Sequence, residues 1–394
     1  MITHGLSVKA FSLQSIYLSR YEHGKEPQRV QPIVELTSDL IRFKSMHSRP
    51  DEIQNCATFI ESYLVRHGIG FRRLDQNGVP TLLVLRPDGT APVLLMSHID
   101  VVDAPDALFE PRVENGRLFG RGSIDDKYAA ALSLVLLAEW IERLRAAGKT
   151  QADLPFGILI SGDEEIGGHN GAQAALAQLR TDFAIALDGG NLKKIVVKEK
   201  GILRLKLIAR GKTAHAARPW LGENAIEALI ADYFALKAHF AAAAPDHWHR
   251  TLNFSRIQAG KAVNQVPDYA EALFDIRYTE NDDMGAVVAA IRRDIRGEVE
   301  VVETEPLFQG GRTPQLARLL EIAGRPEVGC EHGASDARFL SEFGIPGIVW
   351  GADGDDSAHS PEEHINLDSL FEVHRILDEF FREMALTTPP GSSK

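Results

Sequence analysis

The chain has 394 residues, 44% of them hydrophobic and 25% charged, a composition of soluble globular proteins with room for two domains. Lys and Arg number 43 against 55 Asp and Glu, a net charge of −12, which argues against nucleic acid or an anionic membrane as the main partner, since both require a basic face. No apolar stretch is long enough to span a bilayer, no charged-then-apolar leader opens the chain, and Cys56 and Cys330 offer no disulfide framework, so a cytoplasmic protein is expected.

Residues 1–28 carry weak periodicity and are set aside as an N-terminal extension. Helices are predicted at Gln31–Lys44 and Asp51–His67, the second stopped by Gly68. Strands are predicted at Thr81–Arg86 and Val93–Ser97, with the turn P-D-G-T-A-P between them. A long apolar helix follows near 129–147, then the strand F-G-I-L-I-S, a helix near Gly171–Arg180, and the strand F-A-I-A-L-D ending at Asp188. Alternating strands and helices of this kind build an α/β domain on a mainly parallel sheet.

From 202 the order changes. Strands at Ile202–Ala209, Thr251–Gln258, Tyr269–Tyr278 and Val299–Glu303 enclose helices at Asn224–Ala241 and Met284–Ile295, the β-α-β-β-α-β order of a ferredoxin-like unit. The α/β rhythm then resumes with helices near Pro314–Ala323 and Asp336–Phe343, a buried strand at Gly347–Trp350 and a last helix near Leu367–Met384. The tail T-T-P-P-G-S-S-K is expected to be disordered. The division predicted is one α/β domain in two pieces, 29–201 and 307–388, around an insertion at 202–306.

Acidic and imidazole side chains gather just past the apolar strands. His98 and Asp100 follow Val93–Met96, Asp163-Glu164-Glu165 follow Ile158–Ile160, Asp188 follows Ala184–Leu187, and His359 lies in the loop after Gly347–Trp350. Ligands of open α/β sheets bind beyond the carboxyl ends of the strands, so these residues should converge. Two residues apart on an extended backbone, His98 and Asp100 point the same way, and a carboxylate is the usual orienting partner of a metal-bound imidazole. Two His and several carboxylates form a mixed N/O set suited to zinc, with cobalt or manganese also fitting. Asp125, brought in by the glycine turn G-R-G-S-I-D-D-K, is the choice for a carboxylate bridging two ions. In Glu164-Glu165, one carboxylate can bind metal while its neighbour stays free as a general base.

At these residues the chain resembles the zinc-dependent succinyl-diaminopimelate desuccinylases, acetylornithine deacetylases, aminoacylases and carboxypeptidase G enzymes. The motifs are S-H-I-D-V-V, G-R-G-S-I-D-D-K, S-G-D-E-E-I-G, A-L-D-G-G, G-K-T-A-H-A-A-R-P, V-N-Q-V-P, G-A-S-D-A-R-F and S-A-H-S-P-E-E, in this order from about residue 30 to 386. The resemblance implies a three-layer catalytic domain with an inserted lid and dimerisation domain, two zinc ions per subunit, and His98, Asp125, Glu165, Asp188 and His359 as their ligands. It implies Glu164 as the base and Asp100 as the residue steadying His98. It further implies a homodimer in which His215 reaches the partner's site to stabilise an oxyanion, with Asn264 and Arg277 gripping the substrate. The expected reaction is hydrolysis of the amide bond in a small N-acyl amino acid or short peptide with a free carboxylate.

Two departures bear on substrate. Desuccinylases and deacetylases of this resemblance usually carry Glu where this chain has Asp188, and Asp there looks more like the dipeptidase and aminopeptidase branches; Ala334 replaces the Thr of the desuccinylase G-T-S-D. A dipeptidase or carboxypeptidase is therefore the alternative, with a non-catalytic metal-binding relative as a remote one. His364 competes with His359 as a ligand. His47 and His169 are assigned to the surface, Lys127 to solvent, and Arg338 to a salt bridge outside the site.

Overall fold

The computed structural model describes residues 31–387. The expected extension at 1–28 and the tail beyond 387 lie outside them. Two antiparallel-or-mixed sheets organise the rest. The larger has nine strands in the order 72–76, 79–84, 157–161, 94–98, 184–186, 347–349, 194–199 and 308–309, with 327–331 also pairing to 194–199. Four neighbouring strands, 157–161, 94–98, 184–186 and 347–349, are mutually parallel, so all their carboxyl ends face one side.

Gly157–Ser161 and Leu94–His98 are buried along their whole length, as expected of sheet strands covered on both faces. The helix Lys127–Ala146 packs against the sheet and is buried nearly all round, from Tyr128 and Ala129 to Leu144. An apolar surface on every side marks a helix enclosed by the core, and each leucine inside it is worth about 2–5 kcal/mol against alanine. Phe156 stacks on Phe381 of the last helix, Leu367–Thr387, and both rings and the neighbouring Phe380 are fully buried.

The second sheet is antiparallel, ordered 251–259, 269–278, 201–210, 298–305. With the helices Ala225–Ala238 and Met284–Asp294 it encloses its own core of Leu205, Leu207, Leu229, Phe274, Ile276 and Ile291. This is the expected β-α-β-β-α-β unit. Asn224 caps the first helix by accepting the N–H groups of Ile226 and Glu227, which ends the preceding loop at the residue where the predicted helix began.

One expectation fails, and two features were not anticipated. In place of a helix at Gly171–Arg180 there is a π-turn at His169–Gln173 and a single helical turn at Ala174–Leu176. Gly171 lets this turn press on the site, since a Cβ there would lie 2.1 Å from Asp163 Oδ1. Lys194–Glu199 is a main-sheet strand that was not anticipated, because only Lys200 separates it from the lid strand Gly201–Arg210. Finally, Arg112–Glu114, Arg117–Phe119 and His364–Asn366 form a small third sheet.

Candidate metal centre

The parallel strand ends bring the acidic and imidazole side chains together as expected. His98 Nε2 lies 3.0 Å from Asp125 Oδ1 and 3.9 Å from Asp188 Oδ2. His359 Nε2 lies 2.9 Å from Asp125 Oδ2 and 3.3 Å from Glu165 Oε1. Two groups of three donors result, His98–Asp125–Asp188 and Asp125–Glu165–His359, each within 4.8 Å. Asp125 belongs to both and turns one oxygen to each. Tetrahedral zinc with bonds of about 2.0–2.2 Å sets neighbouring donors about 3.3–3.6 Å apart, and the observed separations bracket that value. The donor set therefore fits two small divalent cations.

Each candidate ligand is held by its local structure. His98 ends its strand, and its Nδ1 faces the Asp100 carbonyl at 3.0 Å and Oδ1 at 3.4 Å, leaving Nε2 for the centre. Asp100 is fully buried and does more than steady His98. It accepts the backbone N–H groups of Glu164 (3.2 Å) and Glu165 (3.0 Å), fixing the turn that carries both glutamates. Burial alone would raise the Asp100 pKa, but hydrogen bonds from His47 and His98 overcome this and hold it at about 2.

Asp125 and His359 are brought together by the third sheet and by Glu363. Glu363 accepts the Gly122 N–H at 2.7 Å and pairs with the buried Arg121, whose other guanidinium nitrogen donates to the His359 carbonyl at 3.1 Å. His359 itself has φ +62°, an unfavourable region for a side chain with a Cβ, so this clamp holds it where it would not rest unaided. Gly122 takes φ +83°, and a Cβ there would meet the Lys127 stem at 2.8 Å.

The electrostatics follow from packing acids together. Burial, then the charge of Asp125, pushes Asp188 up to about 8. Burial, then Asp188, raises Glu164 well above the usual carboxylate range. Hydrogen bonds to Asp125 and Glu165 raise His359 to about 10. Glu164 contributes no atom to either group of donors, and its Oε1 lies 3.7 Å from Arg338 Nη1.

The family match decides what such a centre belongs to: peptidase family M20/M25/M40 matches residues 94–383. The chain belongs to peptidase family M20/M25/M40. M20 membership makes it a metal-dependent hydrolase of C–N bonds. It is 29% identical over 311 residues to a succinyl-diaminopimelate desuccinylase of Corynebacterium glutamicum, covering 74% of this chain and 81% of that one. Its fold matches a tripeptidase from Staphylococcus aureus with a TM-score of 0.72 at 19% identity, over 91% of this chain and 99% of that one. It also matches the YXEP protein of Bacillus subtilis, described as a dinuclear metal-binding peptidase of the M20 family, with a TM-score of 0.62 at 16% identity, over 92% and 100%.

His215, Asn264 and Arg277 lie on the second sheet's unit and belong to neither group of donors. His215 is exposed, with its Nδ1 accepting the Ala217 N–H. Asn264 is exposed and its carbonyl accepts the Ala216 N–H. Arg277 donates to Asp275 at 2.8 Å.

Other assignments need correction. Lys127 is fully buried, not solvated, and donates to the Phe43 carbonyl at 2.6 Å; burial pushes its pKa down to about 8. His47, assigned to the surface, is half-buried, with its Nε2 2.8 Å from Asp100 Oδ2. Arg338, left out of the site, is buried beside Glu164. His364 lies 3.1 Å from Asp355, away from the donors. No periodic signal marks His47; only its place just after the first helix, on a loop bridged to Val101 through Met46, brings it to Asp100. Among the described residues no helix is long and apolar enough to cross a membrane.

Proposed function

We propose that this chain is a dinuclear amidohydrolase, using zinc or alternatively cobalt or manganese, that cleaves the amide of a small N-acyl amino acid or short peptide bearing a free carboxylate. The observation that carries this reading is Asp125 shared between two donor triads with Glu164 left outside both. His98, Asp125 and Asp188 would hold one ion, and Asp125, Glu165 and His359 the other. Bound there, the pair supplies Lewis-acid polarisation of the carbonyl and acidifies water. Glu164 accepts the water's proton and returns it to the leaving nitrogen, the task of a general base that becomes a general acid. Asp100 keeps His98 and the glutamate turn in place throughout.

Residues 202–306 serve as lid and dimerisation domain, and 29–201 with 307–388 as the catalytic domain. A homodimer is supported by the lid's free edge strand, Thr251–Ala259, and by the exposed Ile230, Phe234, Phe254 and Ile257 on that strand and the neighbouring helix. An open strand edge beside apolar side chains invites pairing with a second copy. His215 of one subunit would then stabilise the oxyanion in the other. Asn264 holds the substrate's polar end and Arg277 its carboxylate, for which a guanidinium fork is suited.

Asp188 and Ala334 favour a second reading within the same chemistry, in which the substrate is a di- or tripeptide or a carboxypeptidase substrate rather than an N-succinyl or N-acetyl amino acid. A panel of N-succinyl-diaminopimelate, N-acetyl-ornithine, N-acyl aromatic amino acids, dipeptides and tripeptides, assayed with zinc, cobalt and manganese, separates the two. Turnover is expected of at least one class and its loss on amidating the substrate's carboxylate. No hydrolysis of any of them with any of the three metals would overturn the function.

Subunit sharing has its own test. Inactive His215→Ala mixed with inactive Glu164→Ala should regain activity through hybrid dimers, in which one of the two sites is intact. No recovery after demonstrated subunit exchange would remove His215 from the partner's site.

A further inference from the structure

Beneath Glu164 lies a buried cation that neither donor triad uses. Arg338 is 3% exposed. Its Nη2 donates to the Gly167 carbonyl at 2.8 Å and its Nη1 to the Ser335 carbonyl at 2.7 Å. Its Nε lies 3.4 Å from Glu305 Oε2, and Nη1 lies 3.7 Å from Glu164 Oε1. Gly167 closes the 3-10 turn Glu164–Ile166, with φ +112°. Glu305 is the last residue of the lid strand Glu298–Glu305, and its other oxygen lies 2.9 Å from His169 Nε2. One guanidinium thus joins the turn carrying Glu164, the loop at Ser335 and the end of the lid sheet.

A buried guanidinium is costly unless its N–H groups find acceptors, and here one acceptor, Ser335, is three residues away while Gly167 and Glu305 come from segments far from Arg338 in sequence. A simple tether between the lid and the catalytic body would need only Glu305. The bond to Gly167 and the approach to Glu164 direct the same cation at the turn. The geometry points to Arg338 as a positioning residue for Glu164, with Glu305 and His169 passing the lid's placement to it. A shift of the lid strand would move the guanidinium, and the Gly167 carbonyl would carry the turn with it. This rests on Glu164 being the base.

The test uses the full chain and a substrate the wild type hydrolyses, with R338M, R338K, E305Q, R338M/E305Q and, alongside them, E164Q. For each, kcat, KM, bound metal per subunit and melting temperature are measured. Misplacement of a reacting group costs on the order of 10²-fold in rate, so R338M should lose about that in kcat, with KM and metal content near wild type, and R338K should lose less. E305Q should lose about tenfold, and the double variant should be no slower than R338M, because residues acting through one contact are not additive.

A purely structural role would lower the melting temperature and leave kcat of the folded protein unchanged, and that result in R338K and E305Q overturns the proposal even if R338M does not fold. Independent, multiplying effects of R338M and E305Q overturn the link to the lid. Full activity of E164Q would instead remove the base, and the proposal with it. Loss in E164Q with wild-type kcat in every Arg338 and Glu305 variant removes Arg338 alone.

Discussion

Glu164→Gln should lower kcat by about 10²–10⁴-fold, the range associated with a general acid–base group, while the protein keeps its full complement of bound metal. Glutamine has the shape of glutamate, so the turn should survive. Its anchors are backbone groups, the Glu164 and Glu165 N–H donors to Asp100 and the Gly167 carbonyl acceptor of Arg338, none of which the substitution touches. What disappears is the proton acceptor. KM should change little, because in the proposed role Glu164 acts on the water and not on the substrate's binding groups. Elemental analysis alongside initial rates checks both halves. Undiminished turnover removes Glu164 as base, and loss of metal together with activity makes it a ligand instead.

Asp125→Ala should empty both metal positions. Each imidazole meets a different oxygen of this carboxylate, His98 at 3.0 Å and His359 at 2.9 Å, so removing it leaves two donors in each triad. Loss of an outer hydrogen-bond partner already weakens metal binding by roughly 10–100-fold, and loss of a shared ligand should exceed that at both positions. His359→Ala supplies the contrast, since it takes a donor from one triad only. After dialysis against metal-free buffer, Asp125→Ala should hold no metal and His359→Ala one equivalent. Two tightly bound equivalents in Asp125→Ala would deny the bridge.

Much of this centre was legible because its residues sit immediately past apolar strands. His98, Glu165 and Asp188 each follow a buried run whose direction is fixed by the parallel sheet. The lid was legible from element order alone, with Tyr269–Tyr278 matched to the residue. What stayed hidden depends on tertiary packing with no local signature. Lys127 looks like any lysine at a helix start until the Phe43 carbonyl closes over it. His47 and Arg338 meet their partners across 53 and 171 residues. The expected helix at 171–180 is overridden because its glycine is needed against Asp163.

The insertion of the lid between Glu199 and Phe308 also has a consequence for biogenesis. During synthesis, His98, Asp125, Glu165 and Asp188 leave the ribosome long before His359, and the strand that seats beside 184–186 comes from 347–349. A nascent chain that has completed its lid still lacks a ligand of the second triad and the neighbour that covers Ile185. In the proposed centre, the position formed by Asp125, Glu165 and His359 would therefore be complete only once nearly the whole polypeptide has emerged.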